Sequence, residues 1–352
     1  MPDRIAAMRA KFAAVLVDQK VTAKEAKALV ATLGKDAQAP ELAALRELFV
    51  ANQSKFEPAA AARIQKLLGD APAPGPAPSI VTPAPLPPLP APVTPARKDL
   101  PDPAVLDKHA DTLKWDWLPG SLFVDGAKET DVIQGQIANC YMVSAFAAVA
   151  EQSPDVIKNA FTDNGDGTYT VHLFNVSPEG DKTKNDVVID GQLPLSYGSL
   201  SYAKGADRSE LWVPLLEKAF AQSKGGYEGI GKGGQAGAVM AALTGRPNSY
   251  SAMYAGMNTD AIYDTVKTAM AAGKSATAGT HGEEDAALYA GTGLHAWHSY
   301  TVLGVSEENG AKMVTLRNPW GRSEAGNDGT DDGVFKLDMA SFAKYYTGVH
   351  ID

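Results

Sequence analysis

The 352-residue chain predicts an α+β fold in two lobes over residues 104–352, preceded by a small all-α helical module over residues 1–70 and a Pro-rich linker over 71–103. Three observations lead there. Every Trp and Tyr lies after residue 114, while the first seventy residues are rich in Ala, Leu and Lys, so two compositionally distinct units share the chain. Between them, prolines recur at almost every second or third position from Ala71 to Pro103, a composition that favours extended polyproline II over a packed core. After residue 104, helical runs come first and strand-like runs dominate the end, the segregation expected of an α+β unit.

In order along the chain, Ile5, Met8, Phe12 and Leu16 mark one face of a first helix. Thr22 followed by Glu25 reads as a capping box opening a second helix that ends near Gly34. Leu42, Leu45 and Phe49 give a third helix, and Ile64, Leu67 and Leu68 a fourth. In the larger unit a helix starts at Cys140 and ends near Gln152, where Ser153-Pro154 stops it. The turn residues Asn164-Gly165-Asp166-Gly167 separate two strand-like runs, the second Tyr169–Asn175, and Val187–Ile189 adds another strand. Leu211–Gln222 and Tyr263–Ala271 read as helices; Ser299–Val305, Ala311–Arg317 and Val334–Leu337 read as strands.

Composition excludes several classes. The formal charge of −9 falls almost entirely after the slightly basic first seventy residues, so there is no footprint for nucleic acid. Asp3, Arg4, Arg9 and Lys11 interrupt the apolar start, and no run approaches a membrane span, so a cytoplasmic protein is expected. The glycine-rich run Gly225–Gly234 lacks the Gly-Lys-Ser/Thr ending of a phosphate loop and predicts no nucleotide site. Asp163–Gly167 faintly resembles an EF-hand loop, but Phe174 stands where the closing acid belongs, which favours a hairpin turn.

The single cysteine, Cys140, stands where a polar loop gives way to an apolar helix. Backbone N–H groups and the helix dipole at such a start favour a thiolate near neutral pH. A thiolate nucleophile needs a base, and the base needs a group that fixes its ring. Pairing Ser306 with Ala311 across Glu307-Glu308-Asn309-Gly310 puts His298 opposite Pro319, within one residue of Asn318. His295 is the rival base, but the same counting places it beyond Trp320. His109, His172, His281 and His350 lack such a partner and read as surface or structural residues.

These residues carry a family pattern. Gln134-Gly, Asn139-Cys140, His298-x-Tyr-x-Val-x-Gly and Arg-Asn318-Pro-Trp320-Gly resemble the protease core of calpains, calcium-dependent papain-like cysteine proteases. The resemblance extends through Lys114-Trp115, Phe123–Ala127, Val187–Pro194, Glu210–Phe220 and Gly333-Val-Phe, in family order over roughly residues 112–350. It implies a two-lobed papain-like fold, with Cys140 as nucleophile, His298 as general base and acid, and Asn318 as the group orienting the imidazole. It implies that Gln134 donates to the oxyanion and that Trp320 shields the His298–Asn318 hydrogen bond. Losing one oxyanion donor costs about two to three orders of magnitude in rate. The chain departs from the pattern at Asn139-Cys140-Tyr141, where calpains show Asp-Cys-Trp, and at Trp297, where a glycine is expected.

The resemblance also implies Ca2+ as cofactor. In its first core site Val124 and Gly126 match the carbonyl donors, and Asp131 and Glu210 match the carboxylates. The second site is partial: Glu324 and Asp332 match, Asp331 or Asp328 stands in for a third acid, and Val334 replaces an expected one. The expected function is a calcium-dependent cysteine endopeptidase acting on protein substrates. The alternative is a non-catalytic calpain-like calcium-binding scaffold. The helical module falls outside the resemblance; on its Pro-rich tether it suits binding to a partner or to the core in cis.

Overall fold

A computed structural model describes residues 11–12, 21–33, 42, 45, 48–49, 55–68, 97–326 and 329–352. The chain divides into two compact units, Met1–Ala91 and Pro92–Asp352.

The smaller unit is helical, with α1 (Ala23–Leu33) and α2 (Pro58–Leu68). The capping box forms as the sequence predicts: the Thr22 backbone N–H donates to Glu25 Oε2 at 2.9 Å and Glu25 N–H returns to Thr22 Oγ1 at 3.4 Å. A short bridge pairs Val21 with Phe56. Phe12, Leu45, Phe49 and Ile64 are buried together with Leu29 and Phe56, so those helix-face assignments meet in one core. Ile5, Met8, Leu16, Leu42's helix as a whole and the linker 71–96 lie outside the described residues or reach beyond them, as do the side chains of Leu67 and Leu68.

The larger unit has two apolar cores. One surrounds α3 (Cys140–Gln152), which is buried continuously from Met142 to Ala150. A helix apolar on every side can only be a central one, and α3 packs on α5 (Ala236–Thr244) and, through Phe146 against Phe220, on α4 (Trp212–Ser223), while an antiparallel sheet of β1 (Phe161–Asp163), β2 (Thr168–Val176) and β3 (Lys182–Asp190) packs on α4 and α5 to complete that core. The β1–β2 connection is the turn expected at Asn164–Gly167: Gly165 N–H donates to Asp163 Oδ1 at 2.9 Å, and Asp166 Oδ1 accepts from Thr168.

The second core lies on a six-stranded antiparallel sheet built from β4 (Ser249–Ala252), β5 (Ala276–Thr280), β6 (Ser299–Glu308), β7 (Ala311–Arg317), β8 (Val334–Asp338) and β9 (Tyr346–Ile351), ordered β8-β7-β6-β5-β9-β4. Helix α6 (Asp260–Ala271) contributes Ile262, Tyr263 and Val266 to it. The β6–β7 register differs from the sequence expectation. Glu308 pairs with Ala311, because Asn309 (φ 53°) and Gly310 (φ 81°) make a two-residue turn with both angles positive. A bulge between Val302 and Gly304 then moves the pairing by one, so Thr301 faces Arg317.

The lobes meet along the start of α3 and the start of β6. Ser144 Oγ and Ser299 Oγ share a 2.8 Å hydrogen bond, and Thr301 Oγ1 donates to the Ser144 carbonyl at 2.9 Å. Residues 97–106 run over the first lobe as a strap. Lys218, 1% exposed on α4, donates to Asp102, to Asp190 Oδ1 at 2.6 Å and to the Gln192 carbonyl at 2.8 Å, while lying over the Trp115 ring. Asp190 also accepts Leu100 N–H at 2.7 Å, and Tyr227 N–H donates to the Ala104 carbonyl at 2.8 Å. Residues 97–103, which compositionally end the linker, are thus bonded to the larger unit. Among the described residues, no helix is long and apolar enough to cross a membrane.

Candidate active site

Cys140 is the first residue of α3, after Asn139. Asn139 is fully buried and donates from Nδ2 to Glu217 Oε1 at 2.7 Å, while Glu217 Oε2 accepts Ala203 N–H at 2.9 Å. Enclosure pushes the Glu217 carboxyl up to about 7, against those two hydrogen bonds. An amide at position 139 can donate to this carboxylate, where an acid would need a proton to do so.

His298 lies at the start of β6 and is 8% exposed. Its Nε2 is 3.0 Å from Asn318 Oδ1. The amide is oriented by its other end, since Asn318 Nδ2 donates to the Ser323 carbonyl at 2.8 Å and Oδ1 also accepts Trp320 N–H at 3.1 Å. Oδ1 therefore accepts from Nε2–H, and Nδ1 is left as the basic nitrogen. The Trp320 ring lies 4.6 Å from the imidazole, centroid to centroid. His295 lies 4.4 Å from the Trp320 ring, tilted at 56°, and 5.9 Å from the His298 ring, and it reaches Ser323 Oγ at 2.9 Å.

Cys140 and His298 line the same two cavities, of about 640 and 600 Å³. Among the described residues, no hydrogen bond joins them. Burial pushes the Cys140 thiol up, outweighing the Ser299 backbone N–H that favours the thiolate. Burial likewise drives His298 down to about 4, against the help of Asn318. Desolvation at this enclosed helix start thus opposes the thiolate that the helix-start position favours.

Gln134 lines the second cavity with Cys140 and Trp320. One Nε2 hydrogen bonds to the Ile137 carbonyl at 2.8 Å, which sets the amide plane and leaves a second N–H. Its backbone N–H donates to the Pro319 carbonyl at 2.8 Å, and Arg317 Nη2 donates to the Val132 carbonyl at 3.0 Å. The loop before Cys140 is thereby tied to the strand end that carries Asn318. Sequence reasoning did not single out Ser299, Glu217 or Arg317. Glu217 and Arg317 sat in the quoted motifs, and only a three-dimensional count of buried charge distinguishes them from surface residues.

The implied calcium ligands fall into two groups. Asp131 and Glu210 are 9% and 1% exposed. Asp131 Oδ2 accepts from Lys128 N–H and Trp212 Nε1–H, and Glu210 Oε1 accepts Val124 N–H at 2.7 Å. Desolvation, then the charge of Asp131, pushes Glu210 up to about 7. The backbone turns at Asp125 (φ 57°) and Gly126 (φ 95°), and the carbonyls of Val124 and Gly126 accept no hydrogen bond from the described residues. Two buried carboxylates and two carbonyls without a hydrogen-bond partner among the described residues are oxygen donors of the chemical kind Ca2+ takes. Near Asn318, Asp331 Oδ1 accepts Ser323 N–H, Glu324 Oε2 accepts Gly333 N–H and Asp332 Oδ1 accepts Val334 N–H. These acids cap their own loop, and Asp328 lies outside the described residues. Among the described residues, no three His, Cys, Asp or Glu side chains gather as a metal-ligand cluster.

Residues 111–331 match the family described as calpain family cysteine protease. Calpain-9 of Rattus norvegicus is 27% identical over 255 residues, 64% of this chain and 36% of the relative. Calpain-12 of Homo sapiens is 30% identical over 200 residues, 54% of this chain and 27% of the relative. The calpain-type cysteine protease DEK1 of Zea mays is 29% identical over 215 residues, 56% of this chain and 9% of the relative. The alignments thus span about a third or less of the relatives' lengths.

Proposed function

The chain belongs to the calpain family of cysteine proteases, and on that premise we propose that it is a calcium-dependent endopeptidase with a Cys140-His298-Asn318 triad. The observation that carries this reading is the oriented His298–Asn318 pair in a cavity shared with the only cysteine. His298 Nδ1 takes the thiol proton as Cys140 Sγ attacks a peptide carbonyl carbon. The oxyanion is held by the free Gln134 N–H and the Cys140 backbone N–H. Return of the proton to the departing amine breaks the C–N bond and leaves a thioester; water, deprotonated by the same imidazole, then releases the acid and restores the thiol. Trp320 covers the His298–Asn318 bond and keeps water from competing for it.

Calcium would be held by the Val124 and Gly126 carbonyls with Asp131 and Glu210, supplying charge that offsets the two buried carboxylates and tying the loop before Cys140 to the start of α4. The loop carrying Glu324, Asp331 and Asp332 is proposed as a second, weaker site. Protein substrates follow from the family. The helical module is proposed to act in cis or on a partner through its tether.

Casein hydrolysis with calcium or a chelator, beside Cys140→Ala, tests the reading. Cleavage needing both calcium and Cys140 is expected. Cleavage indifferent to chelation would remove calcium from it, and cleavage by Cys140→Ala would remove the triad. Calcium binding without cleavage would favour the scaffold.

A further inference from the structure

Trp297 immediately precedes His298, yet its backbone is in the left-handed region at φ 49°, where a large side chain is disfavoured and glycine is at ease. The backbone is pinned there: Trp297 N–H donates to the His281 carbonyl at 2.6 Å, and His298 N–H to Thr280 Oγ1 at 2.9 Å. Trp297 is 55% exposed, one of the few large apolar residues left in solvent among the described residues. It crosses from the strand-rich lobe to the glycine-rich loop of the other, where a Cβ built on Gly233 would lie 3.2 Å from Trp297 Cζ2. Trp297 is also, with Ala138, Cys140 and His298, a wall common to both cavities. The cleft is therefore two roomy chambers joined at a neck over the nucleophile, and the neck is Trp297 facing Gly233.

We propose that Trp297 sets cleavage specificity: the substrate is a polypeptide with glycine or another very small residue at the position whose carbonyl Cys140 attacks, with larger side chains allowed on either side. The inference rests on the endopeptidase reading above. A side chain at the attacked residue competes with the indole for the neck, whereas its neighbours fall in the chambers. A misfit of one or a few methylenes in such a site discriminates by about tenfold or more in kcat/KM.

The test compares full-length wild type, Trp297→Gly and Trp297→Phe on matched peptides bearing Gly, Ala, Leu or Phe at the attacked position. It is run both as hydrolysis and as covalent labelling of Cys140 by peptidyl acyloxymethyl ketones with the same residues. Glycine suits φ 49°, so Trp297→Gly keeps the backbone. Wild type is expected to favour Gly over Phe by at least about tenfold in both assays; Trp297→Gly is expected to lose most of that preference, and Trp297→Phe to keep it. Equal Gly and Phe rates in wild type, or a preference unchanged in Trp297→Gly, would overturn the inference while hydrolysis left the protease reading standing. Selective labelling without hydrolysis would do the reverse. Absence of labelling in every variant would overturn both.

Discussion

The burial that shields Cys140 and His298 from water also works against charge on either of them. The thiol is raised and the imidazole is lowered to about 4, so alkylation of the free enzyme by iodoacetamide should climb with pH into and beyond the ordinary thiol range. A rate plateau between pH 5 and 8 would instead mark a preformed thiolate–imidazolium pair and contradict this geometry. His298 also carries a stability signature. Its folded value lies below the unfolded one of about 6.5, so between about pH 6.5 and 4 the unfolded chain takes up a proton that the folded chain refuses. Stability present above pH 6.5 is lost as pH falls through that window, by up to about 3 kcal/mol, and the loss levels off below it. The urea midpoint of His298→Gln should fall less over the same window. Gln134→Ala should lower kcat by about two to three orders of magnitude with a smaller change in KM, because its donor acts on charge that develops only in the transition state.

At the scale of elements, the strap over residues 97–106 and the latch at Lys218 give the protease unit an edge that composition alone misplaces. Removing the Lys218 ammonium leaves Asp190, fully buried, without its counter-charge. Lys218→Ala should therefore cost about 3–5 kcal/mol in urea unfolding. A truncation beginning at residue 104 should likewise unfold at lower urea than one beginning at 97. The strap was illegible because its prolines continue the linker's pattern; its anchors, Lys218 and Asp190, lie far away in sequence. Helices α3, α4 and α6 and strands β6, β7 and β8 were legible because periodicity and turn residues are local signals. Strands β5 and β9 were not: Ala276–Thr280 and Tyr346–Ile351 are short and glycine-bearing, and they form through pairing with each other, β5 also with β6 and β9 also with β4. The β6–β7 pairing was legible to within two residues, and the error came from the turn, where Asn309-Gly310 alone closes the hairpin. The His298–Asn318 pair could still be anticipated, since a register error of that size keeps both residues at one end of the hairpin. The direction of the Cys140 shift could not, because desolvation depends on the lobe opposite.

For the whole molecule, calcium is expected to couple to folding. An ion bound only by the native oxygen set of Val124, Gly126, Asp131 and Glu210 adds about 2.7 kcal/mol at a hundred times its Kd. The melting temperature should rise with calcium in wild type and stay flat in the Asp131→Asn, Glu210→Gln double variant. The two lobes carry complementary halves of the proposed chemistry: α3 brings the thiol, and β6 with the end of β7 brings the base and its amide. Their alignment is the molecule's central requirement. The most direct measurement is rapid-quench mass spectrometry of the calcium-loaded chain turning over a glycine-containing peptide. A thioester adduct on the Cys140 peptide, absent in Cys140→Ala and accumulating less in Gln134→Ala, is the predicted result; hydrolysis that proceeds at full rate in Cys140→Ala, with no adduct on Cys140 in wild type, would contradict the account.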